Sequence, residues 1–449
     1  MMGKEKIFSL LTPVIKKSPA DQTEAVVINS QAGLTRYANS TIHQNVYEVN
    51  SKVYFRVALG KKLGVAATNV LNKESLKKTL ENALSIARNQ RETPDFTGLP
   101  GQASYKKLKT HYKKTANFSP QQRAEAVKGV FELAGKHKLT VAGAFSTGES
   151  EVAVLNSNRV ACYQPLSSAY INITAMSDNS SGYADGLSRS VDELEIERLA
   201  EIAIQKCLDS RNPQGFQPGE YTVILEPKAV AELLEWMNYI GLGAKSLQDG
   251  TSFLAGKIGQ RIMGENVSIY DDGNDEYSMA FPFDFEGVPK KKIFMVRNGE
   301  AKGVVYDSLT ATKDKTKSTG HALTPDTPER ALALNLFVKA GDSNLKKMIE
   351  STGQGILVTR FHYINGLIDT NNAVLTGMTR DGTFYIEKGR IKHGIKNLRF
   401  TESMLKAFSN VEQLSRQRRM VASWWSDVGC ITVPAMKINN FRFTGKTEF

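Results

Sequence analysis

Residues 25–67 read AVVINSQAGLTRYANSTIHQNVYEVNSKVYFRVALGKKLGVAA, and this stretch decides the fold class. Runs rich in β-branched and aromatic residues at 25–29, 34–38, 41–48, 53–59 and 64–67 alternate with turn chemistry such as Gln31-Ala32-Gly33 and Gly60-Lys61-Lys62. That alternation predicts an antiparallel meander. A helix is expected next, over 73–91. Leu76, Leu80, Leu84 and Ala87 share one face, Asn72 can cap it, and Pro94 lies just beyond its end.

The same order recurs downstream. Ser119, Pro120 and Gln122 make a strong helix entry, with Gln122 placed to close a capping box. Strands are expected at 140–146, 151–156, 159–163 and 169–176, and a helix starting at Ser190 with Glu193 as its box partner. Strands followed by a helix thus occur twice, which suggests a duplicated unit. Residues 212–219, NPQGFQPG, form the clearest boundary, with two prolines and two glycines. Beyond it come a strand at 221–226, a helix at 228–240 apolar on most faces, and many short strands. Asn298-Gly299 and Lys388-Gly389 read as hairpin turns. Helices are expected at 342–351, capped by Asp342, and at 401–413. The reading is α+β: N-terminal β-meander-plus-helix units over 1–115 and 116–212, then a sheet-rich C-terminal domain over 219–449.

Composition narrows the class. Hydrophobic residues at 41% and charged residues at 23% are ordinary for a soluble globular protein. The net charge of +12 raises nucleic acid as a partner, but the basic residues are scattered, so a solvated lysine-rich surface is the favoured reading. Cys162, Cys207 and Cys430 are far apart and odd in number, which excludes a disulfide framework and fits a reducing cytoplasm. The opening residues 1–18 read as a short amphipathic helix, not a signal peptide. No segment approaches the roughly 20 apolar residues of a membrane span.

No GxGxxG, Walker loop, GxSxG or HExxH is present, so no cofactor is expected. The six histidines are His43, His111, His137, His321, His362 and His393, and no two lie within five residues. No helix can therefore offer two imidazoles to one metal, and no metal site is assigned. His321 and His362 are the candidate catalytic residues, with Asp307 and Asp381 as candidate acidic partners. Arg360 and Arg380 are candidate substrate contacts, suited to a peptide carboxylate. All six would have to line one pocket. Asp271-Asp272-Gly273 reads as an ordinary turn in preference to a cation loop, and Trp424-Trp425 as a core or an interface element.

Longer stretches carry a resemblance. Residues 252–259 (SFLAGKIG), 267–273 (VSIYDDG), 283–289 (FDFEGVP), 303–307 (GVVYD), 375–386 (LTGMTRDGTFYI) and 433–445 (VPAMKINNFRFTG), with 34–40 (LTRYANS) near the start, are similar to the TldD/PmbA peptidase family, also described as modulators of DNA gyrase. In zinc-bearing members HExxxH stands on the helix before the FAGK-like stretch, and a distant cysteine completes the ligands. Here that helix reads AELLEWMNYI over 231–240, with no histidine. The resemblance therefore implies the PmbA/TldE-like branch: a metal-free subunit that works beside an HExxxH subunit, or as a dimer with itself, on peptides. Two other readings stay open. One is a stand-alone hydrolase using His321 and His362 with nearby acids, with or without a metal. The other is a nucleic-acid-associated regulator.

Overall fold

In the computed structural model, which describes residues 1–426 and 428–447, two long strands carry the N-terminal half. They are β1 (Gln22–Ala38) and β2 (Thr41–Leu59), joined at Asn39-Ser40, both with φ near +50°. Such a two-residue turn matches the twist of the strands it connects. The expected break at residues 31–33 is absent, and this is a correction: β1 runs straight through it. Gly33 serves a different purpose there. A Cβ at this position would lie 2.4 Å from the Arg123 guanidinium. That buried cation donates to Phe118 O at 2.8 Å, to Thr147 Oγ1 at 3.0 Å and to Thr35 Oγ1 at 3.2 Å.

The remaining N-terminal elements are α1 (Lys4–Lys16), β3 (Lys62–Thr68), α2 (Lys73–Asn89), the single turn α3 (Lys113–Ala116), α4 (Pro120–Gly135), β4 (Thr140–Asn156), β5 (Ala161–Met176), β6 (Ser181–Ser188) and α5 (Ile196–Asp209). Asn72 caps α2, and the Ser119–Gln122 capping box is formed. The helix expected from Ser190 begins later, at Ile196. Ser188 Oγ donates to Glu193 and accepts from the Ser190 N–H, which holds 188–193 as a tight turn. The sheet order β3-β2-β1-β4-β5-β6 is symmetric about the β1–β4 pair. Each half runs helix, three antiparallel strands, helix, so the suspected duplication is visible in the topology, and both halves share one sheet.

The C-terminal half contains β7 (Gly219–Leu225), α6 (Pro227–Met237), α7 (Ala244–Gln248), β8 (Ile269–Asp271), β9 (Ile293–Arg297), β10 (Glu300–Ala301), α8 (Ser308–Lys313), β11 (Asn335–Val338), α9 (Leu345–Glu350), β12 (Gln354–Asp369), β13 (Val374–Glu387), β14 (Arg390–Gly394), β15 (Leu398–Ser403), α10 (Met404–Ser409), β16 (Val411–Ala422) and β17 (Cys430–Lys446). The turns at Asn298-Gly299 and Lys388-Gly389 form with φ positive at both residues. Two helix expectations are corrected. Asn344, not Asp342, caps α9, and 401–413 is a strand end, the short α10 and the start of β16. Strands β7, β12, β13, β15 and β17 pair in a closed ring, because β17 bonds both β15 and β7. Side chains alternate across it: Val223 and Leu225 join the main core, and Ile224 joins a smaller cluster on the other face. The apolar helix α6 packs on β12 and β17. Among the described residues no helix is long and apolar enough to cross a membrane.

Candidate functional site

Helix α6 enters with Pro227 in its first turn and is buried along nearly its whole length. Three of its buried side chains are charged. Lys228 Nζ lies 3.7 Å from Glu232 Oε1, one turn on, and 3.7 Å from Asp185 Oδ2 of β6. Glu232 Oε2 accepts the Phe361 N–H at 2.7 Å, and Glu235 Oε1 accepts from Ser423 Oγ and Trp424 N, each at 2.6 Å. Arg419 of β16 closes the group, donating to Asp185 Oδ1 at 2.8 Å. Burial pushes the Glu232 carboxyl up to about 7, although the Lys228 ammonium pulls the other way. Burial likewise opposes the Lys228 charge, but Asp185 and Glu232 more than offset it and hold the ammonium above its ordinary range.

A second group adjoins the first. Arg360 on β12 donates through Nε to Asp381 Oδ2 at 2.7 Å and through Nη2 to the same oxygen, and its guanidinium lies 4.3 Å from the Tyr183 ring centre. Ser181 Oγ donates to Asp381 Oδ1 at 2.8 Å. Arg380 reaches Asp381 only at 3.9 Å and stays half exposed. These residues border a cleft of about 850 Å³ where the β5–β6 turn faces β13, with Ser177, Asn179, Asn212 and Lys396 on its walls. A smaller cleft of about 420 Å³ shares Ser177, Asn179 and Asn212 and adds Lys138 and Arg211. Arg380 and Lys396 in the larger cleft, and Lys138 and Arg211 in the smaller one, stand among hydroxyls and amides with Asp178 on both walls, and this cationic excess suits an anionic ligand such as a carboxylate.

The six residues expected to share a pocket are not brought together. Arg360, Arg380 and Asp381 do converge, and His362 on β12 titrates below its ordinary range through burial and the Arg380 and Arg360 charges, partly offset by Asp381. Asp307 lies elsewhere. Its Oδ1 caps α8 through Thr310 N at 2.8 Å, and Arg330 pairs with Oδ2 at 2.7 Å. His321 is buried in a third place, with Nδ1 2.9 Å from Thr319 Oγ1 and Nε2 2.9 Å from Asp271 Oδ1. Asp271 thus sits in β8 facing a histidine, although the sequence there reads only as a turn. Asn335 N donates to its Oδ2 at 2.7 Å, and buried Lys290 bonds Asn335 Oδ1 at 3.0 Å. Asp185 and Arg419 were also missed: isolated charges in strands carry no pattern that points at α6.

Trp425 stacks on Tyr239 at 4.7 Å and meets Trp236 edge-on, with part of its surface open. A zinc ion does not fit this chain's α6. With Glu232 matched to the glutamate of HExxxH, the histidine positions hold Ala231 and Trp236, neither of which can ligate a metal. Cys430 Sγ is buried and accepts from Met279 N at 3.3 Å. Among the described residues no three His, Cys, Asp or Glu side chains converge as a cation site.

Comparison with known proteins agrees with this architecture. TldE from Thermococcus kodakarensis has the same fold, with a TM-score of 0.88 at 22% identity over 97% of this chain and 100% of that one. A metalloprotease PmbA homolog of Haemophilus influenzae is 24% identical over 445 residues, 94% of this chain and 93% of its own. A metalloprotease TldD homolog of Buchnera aphidicola is 24% identical over 409 residues, 85% and 82% of the two chains. Residues 218–445 match the PmbA/TldA metallopeptidase C-terminal domain, and residues 23–87 match PmbA/TldA metallopeptidase domain 1. The chain belongs to the PmbA/TldD metallopeptidase family.

Proposed function

We propose that this chain is the zinc-free, PmbA/TldE-like subunit of a peptide-processing assembly, and that an HExxxH subunit supplies the hydrolytic centre. The observation that carries this reading is the chemistry of α6. Where zinc-bearing relatives would present two imidazoles, this helix presents alanine and tryptophan, and its glutamate is engaged by an internal ammonium and a backbone N–H. A carboxylate held in this way is not free to activate a metal-bound water. Metal analysis of the freshly purified, untagged protein should find far less than one zinc, iron or manganese per chain. About one metal per chain, lost on His321→Ala or His362→Ala, overturns the reading and favours a hydrolase in its own right.

The cleft beside Arg380 is the proposed peptide contact. Arg380 is the better probe, because Arg360 is already committed to Asp381. Arg380→Ala should weaken binding of a peptide with a free C-terminal carboxylate by about two- to fivefold, the value of one half-exposed charge. The same peptide as its C-terminal amide should bind both proteins equally, as measured by calorimetry. Equal loss with acid and amide would remove the carboxylate from the explanation.

A further inference from the structure

A third cleft, of about 360 Å³, opens where α6 ends, apart from the two cationic clefts described above. Helix α6 runs out into a wide π-type turn over 238–242, an element frequent at functional sites. Tyr239 of this turn lines the cleft, and its ring stacks on Trp425 with 10° between the planes. Another wall is the segment 328–332. Ala331 N donates to Glu329 O at 2.8 Å, and Arg330 between them has φ +68°. The Arg330 guanidinium is drawn to Asp307 at 2.7 Å, while Glu329 lines the cleft. A Cβ on Gly243, at the entry of α7, would lie 2.4 Å from Ala331 O, so only glycine lets these two walls approach so closely. Leu367, near the end of β12, is exposed on the same cleft.

The charge of this cleft opposes that of the molecule. The chain carries +12, yet the charged residues on the cleft are Lys245, Asp249 and Glu329. Lys245 pairs with Asp249 and Arg330 with Asp307, while Glu329 forms no ion pair among the described residues. Burial and the neighbouring Glu329 carboxylate raise the Tyr239 hydroxyl above its ordinary range, which keeps it a neutral donor. We propose that the cleft is a subsite for one cationic side chain, lysine or arginine, of a bound peptide, with Glu329 as its counter-ion. This rests on the peptide reading above and adds a side-chain preference to it. A volume of about 360 Å³ is near the lower end for ligand pockets and suits a single long side chain. Such a side chain lays its methylene stem on apolar surface and keeps its charged head in a polar place. Here Tyr239, Leu332 and Leu367 flank the stem and Glu329 meets the head. The clefts then divide the charges of a peptide, with cationic walls for its carboxylate and an acidic wall for a basic side chain.

The chain has three tryptophans. Trp236 and Trp425 touch Tyr239, and Trp424 adjoins them, so intrinsic fluorescence reports on this place. Full-length protein is titrated with a short peptide of glycine and alanine, acetylated and amidated, that carries a single lysine. A second titration uses the same peptide with norleucine in place of the lysine. The lysine peptide should change the tryptophan emission and bind about three- to fivefold more tightly, the value of one partly exposed ion pair. Glu329→Gln should bring the two peptides to the same affinity. The wild-type comparison needs no variant, so it decides the matter even where Glu329→Gln fails to fold. Equal affinity for the lysine and norleucine peptides, or a lysine preference that survives Glu329→Gln, overturns the subsite and leaves the carboxylate contact standing. A lysine-free peptide with a free amino terminus that gains as much through Glu329 also overturns it, because the group bound is then the terminus. If no peptide binds, whether its ends are free or blocked, the subsite and the peptide reading fail together.

Discussion

Replacing Arg56 with alanine should destabilise the protein by about 3–5 kcal/mol, the cost of leaving buried charges without their partner. Arg56 of β2 joins Glu24 of β1 at 2.9 Å and Glu286 of the C-terminal half at 2.8 Å, and all three are buried. Burial pushes Glu24 up to about 7 even with the guanidinium beside it. Without Arg56 two carboxyls face each other in a sealed space, and one at least must take up a proton or admit water. Urea denaturation followed by circular dichroism measures the loss. The triple variant Glu24→Gln, Arg56→Met, Glu286→Gln should recover a large part of it, because a neutral cluster has no charge to strand. A loss below about 1 kcal/mol for Arg56→Ala would mean that water reaches this cluster.

The second large effect is expected at Lys228→Met, again about 3–5 kcal/mol. This change strands Glu232 on α6 and leaves Asp185 with the Arg419 guanidinium and the Tyr183 hydroxyl. The pH dependence identifies the cause. Glu232 titrates at about 7 in the folded protein against an ordinary 4.5, so the folded state binds the proton more tightly than the unfolded state. Its contribution is most favourable below the unfolded value and is lost as pH rises through 7, at about 1.4 kcal/mol for each tenfold difference in proton affinity between the two states. Lys228→Met should widen that window upward, and Glu232→Gln should remove it while keeping an acceptor for the Phe361 N–H. Stability measured in urea from pH 5 to 8 gives both slopes. If Lys228→Met leaves the slope unchanged, the ammonium does not act on Glu232.

The features legible in the sequence were those set by neighbours in the chain. The capping of α2 by Asn72, the Ser119–Gln122 box and the turns at Asn298-Gly299 and Lys388-Gly389 all depend on residues within a few positions. The failures have a common cause as well. Gly33 read as a turn residue because the residue that needs its missing side chain, Arg123, is 90 positions away in sequence. The 401–413 stretch has helical periodicity in Leu405 and Phe408, but β15 and β16 take its two ends into pairing with β13 and β17. The site was legible in part. Arg360 and Asp381 meet because β12 and β13 are antiparallel neighbours with a register shift after Val358, which no local pattern announces. His321 and Asp307 drew notice as residue types with chemistry, and the fold uses one in a buried polar pair and the other as a helix cap.

The Arg56 bridge also limits how the molecule can move. A hinge that swung the N-terminal sheet away from the C-terminal half would have to pull a guanidinium off Glu286 and part the packed Phe281, Phe283 and Phe285 from Val152 and Val154. Bistable hinges run through sparse contacts, and this junction is dense and ionic. Any opening that admits a long ligand into this chain should therefore occur at the surface loops around the 850 Å³ cleft, with the two halves moving as one piece.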